Sequence, residues 1–411
     1  MKILLPILVR CYRLIIELLF ILSRPLLWLI LPLYRYKQTL EPEALVSGNP
    51  ILVHCASVGE VNAIAPLLRH FMKTGIPIMI NTVTVTGRDL VSRSFPEIPV
   101  RLAPLDIASQ REKSLRTVAP RLILIVETEI WPMLLDSAGR LGIPVVFINA
   151  RMSDKSYAAY SHIGPVLRYL ARSVKLVLAQ SEEDRQRFEN LLRMDAETAG
   201  NLKYCLSLPD YSPTEVRTAL GFAESDLILV WGSSRPGEEA LMMSLLPGLK
   251  NAFNNLKLIL APRHPKRCIE VERILHGTTY RKLSDKATHN SPDVLLIDGL
   301  GHLSEAYAIA DLAVVGGSFY DFGGHNPLEP AFYSKAIVIG KHYHSCKASV
   351  NKLRDQSAVV VSDKDCLGTD IAMLLKDEAL RHEMGRRAKR VLTENADALE
   401  NHIKGIEKCL R

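Results

Sequence analysis

The chain of 411 residues has no CxxC pair, no HExxH cluster and no apolar run long enough for a clean membrane span, and each absence removes a class of protein. Its seven cysteines, at 11, 55, 205, 268, 346, 366 and 409, are scattered and odd in number. That excludes a disulfide framework and a structural zinc site and points to a reducing compartment. The one DxD pattern, Asp363-Lys364-Asp365, lies late in the chain and reads as a turn, so no metal is expected. Short repeats and low-complexity tracts are missing too. With 48% hydrophobic and 23% charged residues the chain has ample material for a core, which excludes disorder, and its length favours two domains over one.

Positive charge is concentrated at one end. The first forty residues carry Lys2, Arg10, Arg13, Arg24, Arg35 and Lys37 against Glu17, a net +5 of the total +7, which leaves only +2 for everything after them. No basic-and-aromatic pattern appears elsewhere, so a nucleic-acid partner is not expected; an anionic membrane surface is. The segment MKILLPILVRCYRLIIELLFILSRPLLWLILPLY places the charges at 10, 13, 17 and 24 on one stripe at 100° per residue, leaving a very wide apolar face. Its charge-free runs fall short of the ~18 to 20 residues of a transmembrane helix, and Pro25 and Pro32 are expected to interrupt it. Interfacial anchoring is therefore favoured over a full span. A cleaved signal peptide is disfavoured because the apolar region is too long and no small-residue cleavage site follows.

From residue 51 onward, apolar runs alternate with helical stretches. Ile51–Cys55, Ile76–Thr82, Leu122–Glu127, Val145–Asn149 and Leu176–Gln180 read as strands, and a second series follows at Leu227–Gly232, Leu256–Ala261, Val294–Asp298, Leu312–Val315 and Ala336–Ile339. Runs apolar on both faces, flanked by helices, imply parallel sheets covered on both sides. Between the two series, residues 206–225 turn proline-rich and polar and read as a linker. Two such α/β halves would present ligands with a cleft at the carboxyl ends of their strands.

Polar groups collect at those ends. Glu60 opens the helix after HCASVG, as a cap or as a carboxylate at the cleft mouth. The next strand ends in Thr82-Val83-Thr84-Val85-Thr86-Gly87-Arg88, and Leu122–Val126 delivers Glu127-Thr128-Glu129-Ile130-Trp131-Pro132. Glu127 and Glu129 follow a fully apolar run, so one of them is expected in a partly desolvated position, unless both cap the helix that begins near Pro132. Arg151 and Lys203, after Asn149-Ala150 and Gly200-Asn201-Leu202, are candidates to neutralise an anion. In the second half Pro262-Arg263-His264-Pro265 and Asp298-Gly299-Leu300-Gly301-His302 end successive strands. Gly316 to Pro330, GGSFYDFGGHNPLEP, reads as a phosphate-binding turn running into a helix that opens Asn326-Pro327-Leu328-Glu329, with Glu329 placed to hold a ribose.

The ordered series HCASVGE, VTVTG, VETEIWP, NARMS, GNLKY, GEE at 237 to 239, PRHP and GGHNPLEP resembles the 3-deoxy-D-manno-octulosonic acid (Kdo) transferases of Gram-negative lipopolysaccharide synthesis, over nearly the whole chain. That resemblance implies an α/β GT-B fold, two Rossmann-like domains with an interdomain cleft and an N-terminal membrane-anchoring helix. It also implies a CMP-Kdo donor substrate with no cofactor, lipid IVA or a related lipid A precursor as acceptor, inversion at the anomeric carbon, and a location on the cytoplasmic face of the inner membrane. Carried over residue by residue, it makes Glu60 the general base and Glu127 and Lys203 the transition-state stabilisers. It assigns CMP to Pro262, Arg263, Leu300, Gly301, His302, Asn326, Pro327, Leu328 and Glu329. The chain departs from the family pattern at Met133, at Cys205, at Ser234-Arg235-Pro236 before GEE, and at His302, where an acidic residue is usual. The expected division is an anchor at 1–40, an acceptor domain at 41–205, a linker at 206–225, a CMP domain at 226–385 and a C-terminal helix at 386–411 that packs back on the first domain. Two rival readings stand beside this one. A nucleotide-sugar epimerase or hydrolase on the same fold would need no membrane anchor, and a catalytically silent lipid-binding paralogue would not need Glu60, Glu127 and Lys203 together.

Overall fold

The computed structural model describes residues 4–30, 48–206, 208–285 and 292–410. The chain divides into two compact units, Met1–Cys205 with Asn395–Arg411, and Leu206–Glu394.

The first unit is built on seven parallel strands: β1 Ile51–Cys55, β2 Ile78–Thr82, β3 Val100–Leu102, β4 Leu122–Val126, β5 Val145–Ala150, β6 Val174–Ala179 and β7 Ala196–Thr198, in the order β3-β2-β1-β4-β5-β6-β7. The order reverses at β1 and β4, the point where such sheets open a crevice at their carboxyl edge. β1, β2, β4 and β5 are buried along their whole length because helices cover both faces. The second unit repeats the plan with β8 Leu227–Ser234, β9 Leu256–Pro262, β10 Tyr280–Lys282, β11 Val294–Leu296, β12 Leu312–Val315, β13 Ala336–Gly340 and β14 Val359–Ser362, in the order β10-β11-β9-β8-β12-β13-β14. Its reversal lies between β8 and β12, and Trp231 on β8 packs against Phe319 at the centre of the core.

The described residues of the expected linker, 206 and 208–225, fold as part of the second unit. Ser212 caps the helix Pro213–Leu220, Pro213 fills its first position and Gly221, at φ 79°, ends it. Val216, Leu220 and Phe222 are buried with Ile228, Val230 and Tyr307. The prolines and polar residues there are helix punctuation, and the division between the units falls between Cys205 and Leu206. At the other end the helix Glu378–Thr393 belongs to the second unit and only Asn395 onward returns to the first. The returning helix, Ala398–Leu410, buries His402 and Ile406, and His402 Nε2 accepts the Asn149 N–H at 2.9 Å.

The N-terminal helix spans Leu4–Ile30 and continues through Pro25, where an interruption was expected. Residues 31–40 of the expected anchor and the expected domain start at 41 lie outside the described residues. Val9 and Phe20 are buried against the first unit, Arg13 pairs with Glu112 at 2.9 Å, and Glu17 accepts from Ser109 N and Oγ at 2.6 and 3.0 Å. The opposite face leaves Leu14, Leu18, Ile21 and Leu22 exposed. No helix among the described residues is long and apolar enough to cross a membrane.

Candidate active site

At the carboxyl edge of the first sheet, β1 turns sharply into the helix Val58–Lys73. Ser57 is the N-cap and its Oγ accepts the Glu60 N–H at 3.3 Å; Glu60 reaches back, accepting from Ala56 N at 2.6 Å and from Ser57 Oγ at 3.1 Å. This is a variant of the capping box in which Glu60 accepts the N–H of Ala56, one residue before the cap, so the structural and functional readings of Glu60 hold together. As a residue, Glu60 is only 7% exposed. Burial pushes its pKa up to about 7, and the nearby Glu127 and Glu129 add to the rise against the lowering pull of the Ala56 N–H and the Ser57 hydroxyl.

Glu127 is the first residue past β4 and sits at φ 56°, while Asn149, near the end of the neighbouring strand, sits at φ 49°. Left-handed backbone costs a residue such as Glu127 about 1 to 2 kcal/mol, less for an asparagine, and both stand at one sheet edge. Glu127 accepts from Arg151 Nε at 2.7 Å. Glu129 accepts the Trp131 indole N–H at 2.8 Å, and burial holds its pKa above the usual carboxylate range. Trp131 is itself fixed by the Arg111 guanidinium 5.6 Å from its ring centre, and Arg111 pairs with Asp106, which caps the helix Pro132–Leu141 through Met133 N and Leu134 N. Glu60, Glu127, Glu129 and Arg151 line a cavity of about 460 Å³ with Ser153, Ser156, Gln180 and Asp184.

Lys203 stands in the short 3₁₀ turn Leu202–Tyr204, outside that cavity's lining. A chain of amides connects the two places: Gln180 donates to Asn149 O at 2.9 Å and accepts from Asn201 Nδ2 at 2.8 Å, while Asn149 Oδ1 accepts the Leu202 N–H at 3.0 Å. Gln180 and Trp131 were not anticipated as site residues. The signal was present, since Gln180 directly follows β6 at the same edge as Glu127.

In the second unit a cavity of about 310 Å³ is lined by Pro262, Arg263, Leu300, Gly301, Asn326 and Glu329, together with Ser233, Gly299, Ser304 and His325. Six of the nine expected nucleotide residues are therefore brought together. Pro327 and Leu328 are buried beneath the loop, where the Leu328 N–H turns to Asn326 Oδ1 at 3.2 Å. The exposed His302 ring faces Glu305 at 3.3 Å, outside the lining. Burial raises the Glu329 pKa, and Arg263 opposes the rise.

The glycine-rich turn differs from the expected phosphate cradle. Its amides at Gly317, Ser318 and Phe319 donate to the buried Glu238 carboxylate at 2.8, 3.0 and 3.0 Å, and Arg235 N donates to it at 2.9 Å. A protein carboxylate occupies the anion position, so these amides shape the loop and leave Arg263 and the rim around Asn326 to meet a ligand.

A family model described as 3-deoxy-D-manno-octulosonic-acid transferase (kdotransferase) matches residues 33–206. A 3-deoxy-D-manno-octulosonic acid transferase from Haemophilus influenzae is 30% identical over 384 residues, covering 89% of this chain and 90% of its own. A bifunctional glycosyltransferase/methyltransferase from Fusobacterium nucleatum is 32% identical over 305 residues, 71% of this chain; the chain spans 47% of that relative's length. Among solved structures, the calicheamicin glycosyltransferase CalG4 matches with a TM-score of 0.52 at 15% identity, over 88% of this chain and 99% of its own. A UDP-GlcNAc 2-epimerase from Neisseria meningitidis matches at 0.54 and 12% identity, over 87% of this chain and 100% of its own. Likenesses at that identity show the fold, which glycosyltransferases and epimerases share. It is the GT-B arrangement of two parallel-sheet α/β domains.

Proposed function

Because this chain belongs to the 3-deoxy-D-manno-octulosonic-acid (Kdo) transferase family and is a glycosyltransferase, we propose that it transfers Kdo from CMP-Kdo to a lipid A precursor of the lipid IVA type, with Glu60 as general base. The observation that carries the base assignment is Glu60, a residue only 7% exposed at a sheet edge beside Glu127 and Glu129, whose carboxyl pKa burial pushes up to about 7. A general base works best with a pKa near the working pH, and this carboxyl is matched to neutral solution while an ordinary one is not.

Inversion takes a single in-line displacement. The acceptor hydroxyl forms the new bond to the anomeric carbon, its proton passes to Glu60, and the bond to the CMP phosphate oxygen breaks with its electron pair. Arg263 receives the leaving phosphate and Glu329 the ribose hydroxyls; Asn326 and Gly301 shape the rim that holds them. Glu127, held by Arg151, and Lys203 stabilise charge on the sugar side as the bond breaks. The exposed leucine face of the helix Leu4–Ile30 supports a reading in which the enzyme lies in the interface on the cytoplasmic side of the inner membrane, where it reaches a membrane-embedded acceptor.

The test is incubation of detergent-solubilised protein with lipid IVA and freshly generated CMP-Kdo in EDTA, followed by mass spectrometry of the lipid. Mass gains of one or more Kdo units are expected. An unmodified lipid, with donor and CMP binding both verified, would sink the assignment.

A further inference from the structure

Beyond the nucleotide pocket of the second unit lies a cluster of nitrogen-bearing side chains that the CMP reading does not use. β8 carries an extra residue against β9, with a register shift between Gly232 and Ser234 and Ser233 at φ 57°. Bulges of this kind re-aim the side chains that follow them. The next side chain but one is Arg235. Its guanidinium lies over the Phe322 ring at 5.4 Å, its Nη1 meets His264 Nε2 at 3.1 Å, and its stem runs beside Gly317, against which the His325 ring also lies. A Cβ on Gly317 would stand 2.7 Å from His325 Cδ2 and 2.8 Å from its Nε2 while only touching Arg235 Cγ at 3.6 Å, so the glycine leaves the His325 ring its place against this turn.

Two polar atoms of this cluster, Arg235 Nε and His325 Nε2, are buried and have no hydrogen-bond partner. Burial and the neighbouring guanidinium groups hold both His264 and His325 below the usual imidazole range, His325 down to about 4, so the rings are neutral near pH 7. The charge is that of Arg235 and Arg263. Arg267, close by, is taken up by Glu239 and Glu270, whereas among the described residues no carboxylate lies within ion-pair distance of Arg235 or Arg263. Glu238 turns its carboxylate to backbone N–H groups and leaves the guanidinium of Arg235 alone. Arg235 Nε is a buried donor without an acceptor, beside a His325 ring that can carry its N–H at Nε2 and a guanidinium that no carboxylate pairs, and such a group calls for an anion; Arg263, by contrast, already has Glu329 facing its charge.

We propose that Arg235 is a donor-binding residue and that it receives, with His325, the sugar-acid carboxylate of the donor beside the phosphate held by Arg263. This rests on the CMP-Kdo reading and extends it. In a CMP-linked 2-keto sugar acid the carboxylate and the phosphate oxygen are bonded to the same anomeric carbon, so two anions arrive side by side. The site offers two guanidinium groups, one at the pocket lining and one just past His325. A planar guanidinium stacked on Phe322 is suited to the planar carboxylate.

The test compares wild type with Arg235→Gln, which keeps the stem against Gly317, and Arg235→Lys, which keeps the charge. Donor KM and kcat are measured with fresh CMP-Kdo, and CMP affinity, which involves no carboxylate, is measured by calorimetry. Arg235→Gln is expected to raise donor KM by about tenfold or more, Arg235→Lys by less, with CMP affinity within about twofold of wild type. An unchanged KM overturns the proposal. So does a loss of CMP affinity equal to the rise in KM, which would assign Arg235 to the phosphate or to the fold. Wild-type protein that binds CMP but never uses CMP-Kdo would instead remove the donor reading itself, and the carboxylate site with it.

Discussion

Glu60 joins two demands on one side chain. It must accept from Ala56 N and Ser57 Oγ to complete the capping box, and it must take a proton from an alcohol. Its pKa of about 7 makes both testable. The base form grows as pH rises, so kcat/KM should climb through about pH 7, and Glu60→Gln should lose roughly 10²-fold or more of the rate while keeping CMP affinity. A mutant with wild-type rate would exclude Glu60 as the base. Stability moves in the opposite sense. An unfolded Glu60 ionises near 4.5, whereas the folded one holds its proton to about 7, so between those values the folded state binds more protons and loses stability as pH rises. Glutamine retains an acceptor for Ala56 N and never ionises. Glu60→Gln should therefore melt higher than wild type at pH 8, by about 2 °C or more, and show no such gain at pH 4.5; the same gain at both pH values would show that ionisation is not the cause.

The elements were legible where burial was two-sided. Ile51–Cys55, Leu122–Val126 and Leu312–Val315 read as strands because a parallel sheet covered on both faces needs continuous apolar runs. The short strands β3, β7 and β10 did not, because three residues with Arg101, Glu197 or Arg281 among them carry no such run, and β14, Val359–Ser362, though apolar for three residues, was too short to stand out. The helix Pro213–Leu220 was hidden by its own caps. In the site, Glu60 and Glu127 were readable as acids directly after apolar strands, but Glu238 with the amides of Gly317 to Phe319 was not, since the partners are about eighty residues apart in sequence. That pairing has a direct consequence. Its two oxygens accept two N–H groups each, and a glutamine would turn an amide nitrogen toward two of them. Two buried donors left unpaired cost about 1 to 3 kcal/mol each. Glu238→Gln should lower the melting temperature by roughly 5 °C or more and weaken CMP binding, because the loop that carries His325 and Asn326 is held from below by this carboxylate. Calorimetric melting with and without CMP reads both effects, and an unshifted melt would show that the loop holds its shape without Glu238.

At the scale of the whole molecule, charge and apolar surface are placed together. Five of the seven net positive charges reside in the first forty residues, and the described part of that segment is a helix whose one face is tied down by Val9, Phe20, Arg13 and Glu17 while Leu14, Leu18, Ile21 and Leu22 face outward. Apolar side chains exposed in a row raise the free energy of the protein in water by about 25 cal/mol per Å², and an interface that buries them recovers it. The arginines add attraction to anionic lipid that salt screens within about 10 Å at 0.1 M. These two terms separate in one experiment. Flotation with vesicles containing phosphatidylglycerol should capture the full chain at 0.1 M salt, and capture should weaken but persist at 1 M, where the apolar term remains. The triple variant Leu14→Ser, Leu18→Ser, Leu22→Ser changes only exposed positions, so it should fold and bind CMP as wild type does yet stay unbound at 1 M. Equal flotation of variant and wild type at both salt concentrations would show that this leucine face is not the surface that meets the membrane.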